Sequence, residues 1–196
     1  MDPLVTPLGV QDDPQLAEIV ESMIAASGYA PNSVLTMARV PGLPLAFTQL
    51  ARVVLGPGRI DRELKSLIAL VASVAAGCRY CQAHTSASAA RAAGGSERVE
   101  AVWAFETSPR FSDAERALLR LARDAAAVPN QVAEQHRREL AAHHDDDVIT
   151  EAVAVIALFG FLNRWNDTMG TTLEELPAAA AEATIASLGW HRGKHG

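Results

Sequence analysis

Apolar residues recur with helical spacing in at least seven stretches of the chain, and no stretch alternates polar and apolar residues with a period of two. Proline, glycine and capping residues separate these stretches. In chain order, the helices expected from the pattern cover about 14–27, 34–40, 45–55, 62–76, 78–93, 96–103, 113–127, 131–143, 146–169 and 178–188. The pattern therefore predicts an all-α fold.

Polar residues at the expected helix starts support these boundaries. Ser112 and Glu115 have the spacing of a capping box, in which each side chain binds the backbone of the other. The other expected N-caps are Asp13, Asn32 or Ser33, Asp61 and Asn130, and Asp145–Asp147 are expected to give one helix an acidic start. Gly28, Gly94 and Gly189 are expected helix ends, and the final residues, HRGKHG, are expected to trail away from the fold.

The size and charge of the chain limit the possible architectures and partners. It has 196 residues, of which 49% are hydrophobic, enough for one well-filled core. We expect residues 1–40 to form an arm and helices that pack on a helical domain of residues 41–196. The formal net charge of −6, with lysine and arginine thinly spread, argues against a nucleic-acid partner.

Targeting and membrane signals are not evident in the sequence. The first residues, MDPLVTPLGVQDDP, lack the basic region and apolar core of a secretory signal. The longest apolar runs, at about 67–78 and 152–162, are shorter than the ~20 residues that span a bilayer. We therefore expect a cytoplasmic protein without a membrane segment, in a compartment that keeps thiols reduced.

Both cysteines of the chain lie in the segment GCRYCQAH, residues 77–84. Gly77 is expected to separate two helices, so that Cys78 and Cys81 occupy the first turn of the second helix. A helix N-terminus and a nearby imidazolium both lower a thiol pKa. His84 follows Cys81 by three residues and falls on the same helix face. The segment therefore predicts a redox dithiol with an adjacent proton carrier.

Other interpretations of these cysteines remain open. Two free cysteines are often simply small buried residues. A structural zinc site would need a fourth ligand beside Cys78, Cys81 and His84, for which His143 or His144 is available. A thioredoxin-like motif requires a βαβ context, and the sequence contains no convincing strand.

The segment SVAAGCRYCQAH, residues 73–84, resembles the alkylhydroperoxidase D (AhpD) and carboxymuconolactone decarboxylase family, in particular its peroxidase-related, cysteine-containing branch. FLNRWNDTMG, residues 161–170, is similar to a second signature of that branch, and the likeness extends over about 41–176. The resemblance implies a compact AhpD-like helical bundle that assembles into trimers or hexamers. It also implies hydroperoxide reduction without a bound cofactor, with a dithiol reductant such as a lipoyl-bearing protein.

The resemblance implies a role for each reactive residue. Cys81 would be the peroxidatic thiol, Cys78 the resolving thiol, and a histidine and a glutamate would relay protons. His84 fills the histidine role, although two residues rather than the more usual three separate it from Cys81. Ser66 occupies the position of the family's glutamate, so Glu63, one turn earlier, is the expected relay acid.

Two alternatives to a peroxidase remain open. With serine at position 66, the chain could be a non-catalytic or redox-sensing helical oligomer. A lactone decarboxylase-like enzyme is the other alternative; relatives that open or decarboxylate a lactone lack the cysteine pair, and its presence here favours redox chemistry over decarboxylation. Tyr80 is expected to pack, and the polar residues of the second signature are expected to have a structural role: Asn163, Arg164, Asn166 and Asp167.

Overall fold

The structure is a computed structural model that describes residues 2–12 and 14–196. Within these residues the chain forms ten α-helices and short 3-10 turns, with no strand. The helices are α1 Pro14–Ser27, α2 Asn32–Met37, α3 Leu43–Leu55, α4 Arg62–Ala75, α5 Arg79–Ala93, α6 Glu97–Ala101, α7 Asp113–Ala126, α8 Glu134–His143, α9 Asp146–Met169 and α10 Glu175–Thr184. The all-α prediction is confirmed.

Several of the predicted helix starts are capped as expected, but α2 has Pro31 as its N-cap rather than Asn32 or Ser33. Asp61 accepts a hydrogen bond from the backbone N–H of Leu64 at 2.8 Å, and Asp145 caps α9 through the N–H of Val148 at 3.1 Å. Ser112 and Glu115 form the predicted capping box of α7. The predicted cap at Asp13 lies outside the described residues.

The prediction that Asn130 caps α8 is wrong. Its Oδ1 accepts from the N–H of Val132 at 2.9 Å, and its Nδ2 donates to the carbonyl of Ala125 at 3.2 Å. Asparagine competes with helix formation through such local hydrogen bonds. The helix therefore begins only at Glu134.

The end of the chain is also more ordered than predicted. Instead of one helix over 178–188, α10 begins at Glu175 and ends at Thr184, and a 3-10 turn, Ala186–Leu188, follows. The final segment does not trail away: Gly193–His195 forms another 3-10 turn, and the carbonyl of His195 accepts from the N–H of Leu173 at 2.8 Å. The ring of His195 is buried.

Helix α4 lies at the centre of the main core, where it packs against α5, α7 and α9. Its side chains Leu67, Ile68 and Leu70 are fully buried, as its nearly continuous apolar sequence predicts. A smaller apolar cluster contains Leu16, Val20 and Val34 from the first forty residues. Phe47 packs against both clusters and so joins them.

Helix α9 is 24 residues long and, by length and composition alone, apolar enough to cross a membrane. It packs against α3, α4, α5 and α7, and it buries the amide side chains of Asn163 and Asn166. These contacts are those of a central helix in a helical domain.

Candidate functional site

The site is organised by the turn between α4 and α5. Gly77 has a φ of +74°, and its N–H donates to the carbonyl of Val74 at 3.1 Å. The N–H of Cys78 donates to the carbonyl of Ser73 at 3.1 Å, which completes a Schellman motif. Cys78 is at the same time the N-cap of α5. The predicted break at Gly77 and the position of both cysteines at the start of α5 are confirmed.

The two thiols are reduced and lie close together in the interior. The backbone N–H of Cys81 donates to Sγ of Cys78 at 3.4 Å, and both cysteines are free. Their exposed fractions are 0% for Cys78 and 2% for Cys81. From α9, Nδ2 of Asn166 donates to Sγ of Cys81 at 3.6 Å. The sulphurs are therefore in contact with the helix N-terminus and with a buried amide.

The surroundings of the two thiols shift their pKa values in opposite directions. A hydrogen bond from the Cys81 thiol, together with the backbone N–H groups of Cys81 and Tyr80, lowers the pKa of Cys78 despite its burial. Burial, and then the neighbouring Cys78 sulphur, raise the pKa of Cys81 well above its usual value, although Asn166 opposes this. The pair therefore loses its first proton at Cys78.

His84 is held by three aromatic or acidic side chains. Its Nε2 lies 2.7 Å from Oε2 of Glu174, and its Nδ1 lies 3.0 Å from the Tyr29 hydroxyl. The ring stacks on Tyr80 with centroids 4.4 Å apart. With Glu174 ionised, Nε2–H donates to the carboxylate, and Nδ1 accepts from Tyr29. Neither ring nitrogen is hydrogen-bonded to a sulphur.

Glu174 anchors this arrangement at the start of α10. It also accepts from the Tyr80 hydroxyl at 2.8 Å and from the backbone N–H of Asn32. Burial raises the pKa of Glu174, but the hydrogen bonds from His84, Asn32 and Tyr80 outweigh it, so the pKa lies below its usual value. Burial and the charge of Glu174 raise the pKa of Tyr29 to about 12. The cluster thus holds a carboxylate beside a neutral phenol.

Glu63 is not the acid that serves His84, and this prediction is corrected. Its Oε2 lies 2.9 Å from Nη1 of Arg98, a guanidinium that also binds Glu115. The carboxylate in contact with His84 belongs to Glu174. Ser66 donates to the carbonyl of Arg62 at 2.9 Å and lies 3.1 Å from the Ser88 hydroxyl, so it contributes no acid.

A cavity of about 560 Å³ opens beside His84 in the groove between α4 and α5. His84 and Tyr29 line one part of it, and Ser66 and Ser88 line another. The apolar part of its wall comprises Leu55, Ile60, Ala69 and Phe159. Neither cysteine is among the lining residues, so His84 and Tyr29 are the parts of the cluster in contact with this space.

A metal site does not assemble from the described part of the chain. No group of three or more histidine, cysteine, aspartate or glutamate side chains there could hold a metal ion. Nε2 of His144, an expected zinc-ligand candidate, lies 2.9 Å from the carbonyl of Ala114. These side chains therefore do not present the zinc arrangement considered from the sequence.

Three side chains that contact His84 or Cys81 were not among the site residues predicted from the sequence: Tyr29, Asn166 and Glu174. Tyr29 and Glu174 lie 55 and 90 positions from His84, too far for any local spacing to connect them. Asn166 does lie in the second signature, where the sequence indicates a structural polar cluster. Its contact with Cys81 places this residue in the site as well.

Comparison with known proteins identifies relatives along most of the chain. The profile of the carboxymuconolactone decarboxylase family matches residues 41–124. The uncharacterized protein YnjA of Escherichia coli K12 is 34% identical over 110 residues, which are 56% of this chain and 60% of that protein. The chain thus matches less than two thirds of the length of this curated relative.

Solved structures extend the similarity to nearly the whole chain. The debrominase Bmp8 is 38% identical, with a TM-score of 0.85 over 91% of this chain and 96% of that one. The AhpD core of a peroxidase-related protein from Ralstonia eutropha JMP134 shares the fold, with a TM-score of 0.80 at 19% identity over 90% and 95% of the two chains. With its profile match and its AhpD-like helical fold, the chain belongs to the carboxymuconolactone decarboxylase family.

Proposed function

We propose that the chain reduces hydroperoxides with the dithiol formed by Cys78 and Cys81. The observation that carries this proposal is the position of Cys78, whose sulphur accepts hydrogen bonds at the N-terminus of α5 beside a second free thiol. A thiolate is the nucleophilic form of cysteine, and this position favours it. The second thiol allows the oxidised sulphur to be captured as a disulfide.

The proton chemistry is supplied by Glu174, His84 and Tyr29. Glu174 keeps the proton of the imidazole on Nε2, which leaves Nδ1 as the basic end of the ring. Tyr29 lies between Nδ1 and the cavity, and its raised pKa keeps it protonated. A proton that His84 takes up at Nδ1 when the dithiol ionises can therefore pass through the Tyr29 hydroxyl to a leaving alkoxide.

The reaction balances with the two thiols as the source of electrons. The thiolate forms first on Cys78, and transfer of the Cys81 proton to it across their hydrogen bond turns Cys81 into the nucleophile, the role that the family resemblance implies. The Cys81 thiolate then attacks the terminal oxygen of the hydroperoxide. The O–O bond breaks, Cys81 becomes a sulfenic acid, and the alkoxide takes a proton from the Tyr29 relay. Cys78 then attacks the sulfenic sulphur, which releases water and forms the disulfide. One hydroperoxide and two thiols give one alcohol, one water and one disulfide.

A reductant must return the disulfide to the dithiol. We propose a dithiol reductant, such as a lipoyl group on a partner protein, which restores the pair by thiol–disulfide exchange. Because both sulphurs are buried, the reductant requires a slender dithiol arm or a local opening of the site.

The burial of the sulphurs also bears on the choice of substrate. Neither cysteine lines the cavity, so a reacting atom that enters there has to pass the cavity wall to reach a sulphur. The terminal oxygen of a hydroperoxide is a small, unbranched group and passes such a wall more easily than an aromatic ring does. This favours hydroperoxide reduction.

Reductive dehalogenation is a second candidate, favoured by the similarity to Bmp8. A Bmp8 variant is described in complex with 2,3,4-tribromopyrrole, at 38% identity and a TM-score of 0.87 over 94% of this chain. In this chain, the dithiol would supply two electrons to a brominated ring. The products would be the ring with hydrogen in place of bromine, hydrogen bromide and the Cys78–Cys81 disulfide.

One experiment separates these functions. The reduced protein is mixed with cumene hydroperoxide or with 2,3,4-tribromopyrrole, and free thiols, cumyl alcohol and bromide are measured over time. Hydroperoxide reduction predicts the loss of two thiols for each cumyl alcohol formed, without bromide release. Bromide release coupled to thiol loss would establish dehalogenation instead.

The cysteine variants serve as matched controls in that experiment. Cys78→Ser is expected to stop at a sulfenic acid on Cys81, which dimedone labels, and Cys81→Ser is expected to form no alcohol. Thiols that survive both substrates unchanged would contradict both reductive functions and leave the non-catalytic and lactone-decarboxylase alternatives.

A further inference from the structure

The cavity beside His84 has an apolar wall and two arginines, Arg62 of α4 and Arg91 of α5. Each arginine lies on the helix face that lines the cavity. On α5, His84, Ser88 and Arg91 are separated by four and then three residues, so they share one helix face. On α4, Arg62, Ser66 and Ala69 have the same spacing. All six residues line the cavity, and the Ser66 and Ser88 hydroxyls, 3.1 Å apart, join the two faces.

The two arginines are not neutralised by acidic side chains. Neither Arg62 nor Arg91 forms an ion pair or a side-chain hydrogen bond with another described residue. Lys65, the other lining cation, is satisfied by Glu151 at 2.5 Å and by the carbonyls of Val54 and Gly56. The lining carboxylate, Asp61, caps α4. The free positive charge of the cavity is therefore that of two guanidinium groups.

The spacing along α5 sets the distance between Arg91 and His84. Seven residues separate Arg91 from His84, which corresponds to about 10 Å along α5 at ~1.5 Å per residue. Arg91 lies near enough to Tyr29 for its charge to act on that hydroxyl. Guanidinium groups bind carboxylates through paired, charge-assisted hydrogen bonds.

We infer that the substrate of this site carries an anionic group, such as a carboxylate, about 10 Å from its reactive centre. Arg62 and Arg91 bind this group, and the apolar part of the substrate lies against Leu55, Ile60 and Phe159. This inference rests on the proposed function, because it names the class of hydroperoxide that the cysteine pair reduces. That class is an amphipathic acid, such as a fatty-acid hydroperoxide.

Binding of an unreactive acid tests the inference without the redox step. Isothermal titration calorimetry compares 6-phenylhexanoate with its neutral counterpart 6-phenylhexanamide. The reduced wild-type protein is expected to bind the acid about ten-fold more tightly than the amide, a ratio that falls as salt is added. Arg62→Gln and Arg91→Gln are each expected to remove most of this preference.

Arg110→Gln is the control, since Arg110 is exposed and does not line the cavity. It is expected to retain the wild-type preference for the acid. Equal binding of acid and amide, no binding of the acid, or a preference that persists in both cavity variants would each overturn the inference. The proposed function is tested separately, by the oxidation of the thiols with cumene hydroperoxide. Cumene hydroperoxide is neutral, so its reaction does not depend on the two arginines.

Discussion

At the scale of single residues, the sulphur of Cys78 owes its lowered pKa chiefly to the Cys81 thiol that donates to it. Removing that donor should raise the Cys78 pKa. We therefore expect the alkylation of Cys78 by iodoacetamide to have a higher pH midpoint in Cys81→Ala than in Cys81→Ser, whose hydroxyl can still donate. Equal midpoints in the two variants would contradict this origin of the pKa shift.

In the proposed proton relay, Tyr29 and His84 are the groups that line the cavity, and Tyr29 is the one that donates. Tyr29→Phe keeps the ring but removes the proton donor. The oxidation of the thiols by cumene hydroperoxide should slow by about 100-fold, the lower end of general acid–base contributions. Stopped-flow measurement of thiol loss tests this, with circular dichroism to show that the fold is intact. An unchanged rate would remove Tyr29 from the relay.

Glu174 links stability to pH through its lowered pKa. A carboxyl group with a depressed pKa stabilises the fold fully above its unfolded value, about 4.3, and loses this contribution as the pH falls through the folded value. Glu174→Gln should therefore cost about 1–3 kcal/mol at pH 6, and the difference from wild type should shrink below pH 4. Urea unfolding at a series of pH values measures this, and a difference independent of pH would contradict it.

At the scale of secondary-structure elements, the junction of α4 and α5 depends on the left-handed conformation of Gly77. A Cβ at Gly77 would meet no heavy atom within 4 Å, so the cost of Gly77→Ala is conformational, about 1 kcal/mol. We expect lower stability in urea unfolding and slower oxidation of the cysteines, since Cys78 follows directly. An unchanged stability would mean that the junction does not need glycine.

Gly160→Ala is the matched control for that substitution. Gly160 lies within α9, is exposed, and also has no heavy atom near an added Cβ. Alanine should stabilise this helix by up to about 1 kcal/mol. A lower free energy of unfolding in Gly77→Ala and a higher one in Gly160→Ala would show that the backbone conformation, and not the added methyl group itself, causes the loss at Gly77.

The elements that depend on local signals were predictable from the sequence. Asp61 and Ser112 cap helices as expected, and Asp145 caps α9 within the expected acidic start, because an N-cap involves residues within one turn. The turn at Gly77 and the helix start at Cys78 were predictable for the same reason, because they also involve residues within one or two turns of each other. Asn130 failed as a cap because its side chain had an equally local alternative, the turn at Val132.

The candidate site was predictable only where its residues are neighbours in sequence. Cys78, Cys81 and His84 lie on α5, and their common helix followed from the spacing. The acid beside His84 could not be identified in this way, because Glu174 reaches the ring from α10. Glu63 was nearer in sequence, but its ion pair with Arg98 directs it to another part of the molecule.

At the scale of the whole molecule, the site is assembled from distant parts of the chain. Tyr29 comes from the segment between α1 and α2, Asn166 from α9 and Glu174 from the start of α10. The expected arm of residues 1–40 thus contributes Tyr29, which is hydrogen-bonded to His84. The division into residues 1–40 and a helical domain of residues 41–196, packed as one structural unit, stays a prediction, as does the cytoplasmic location.

Assembly into trimers or hexamers also stays a prediction. Helices α3 and α9, which pack together, leave five large apolar side chains exposed: Leu50, Val53, Leu55, Val153 and Phe161. Faces of this kind are common at interfaces between subunits. The mass of the particle by light scattering after size exclusion measures the subunit number directly.

The central claim is that Cys78 and Cys81 form one redox unit. The most direct test is peptide mass mapping of the protein after one equivalent of cumene hydroperoxide, with unreacted thiols alkylated before digestion. The account predicts that the peptide with both cysteines becomes about 2 Da lighter than its reduced form through an internal disulfide, and that neither cysteine is alkylated. Two alkylated cysteines after treatment, or disulfides only between separate chains, would contradict it.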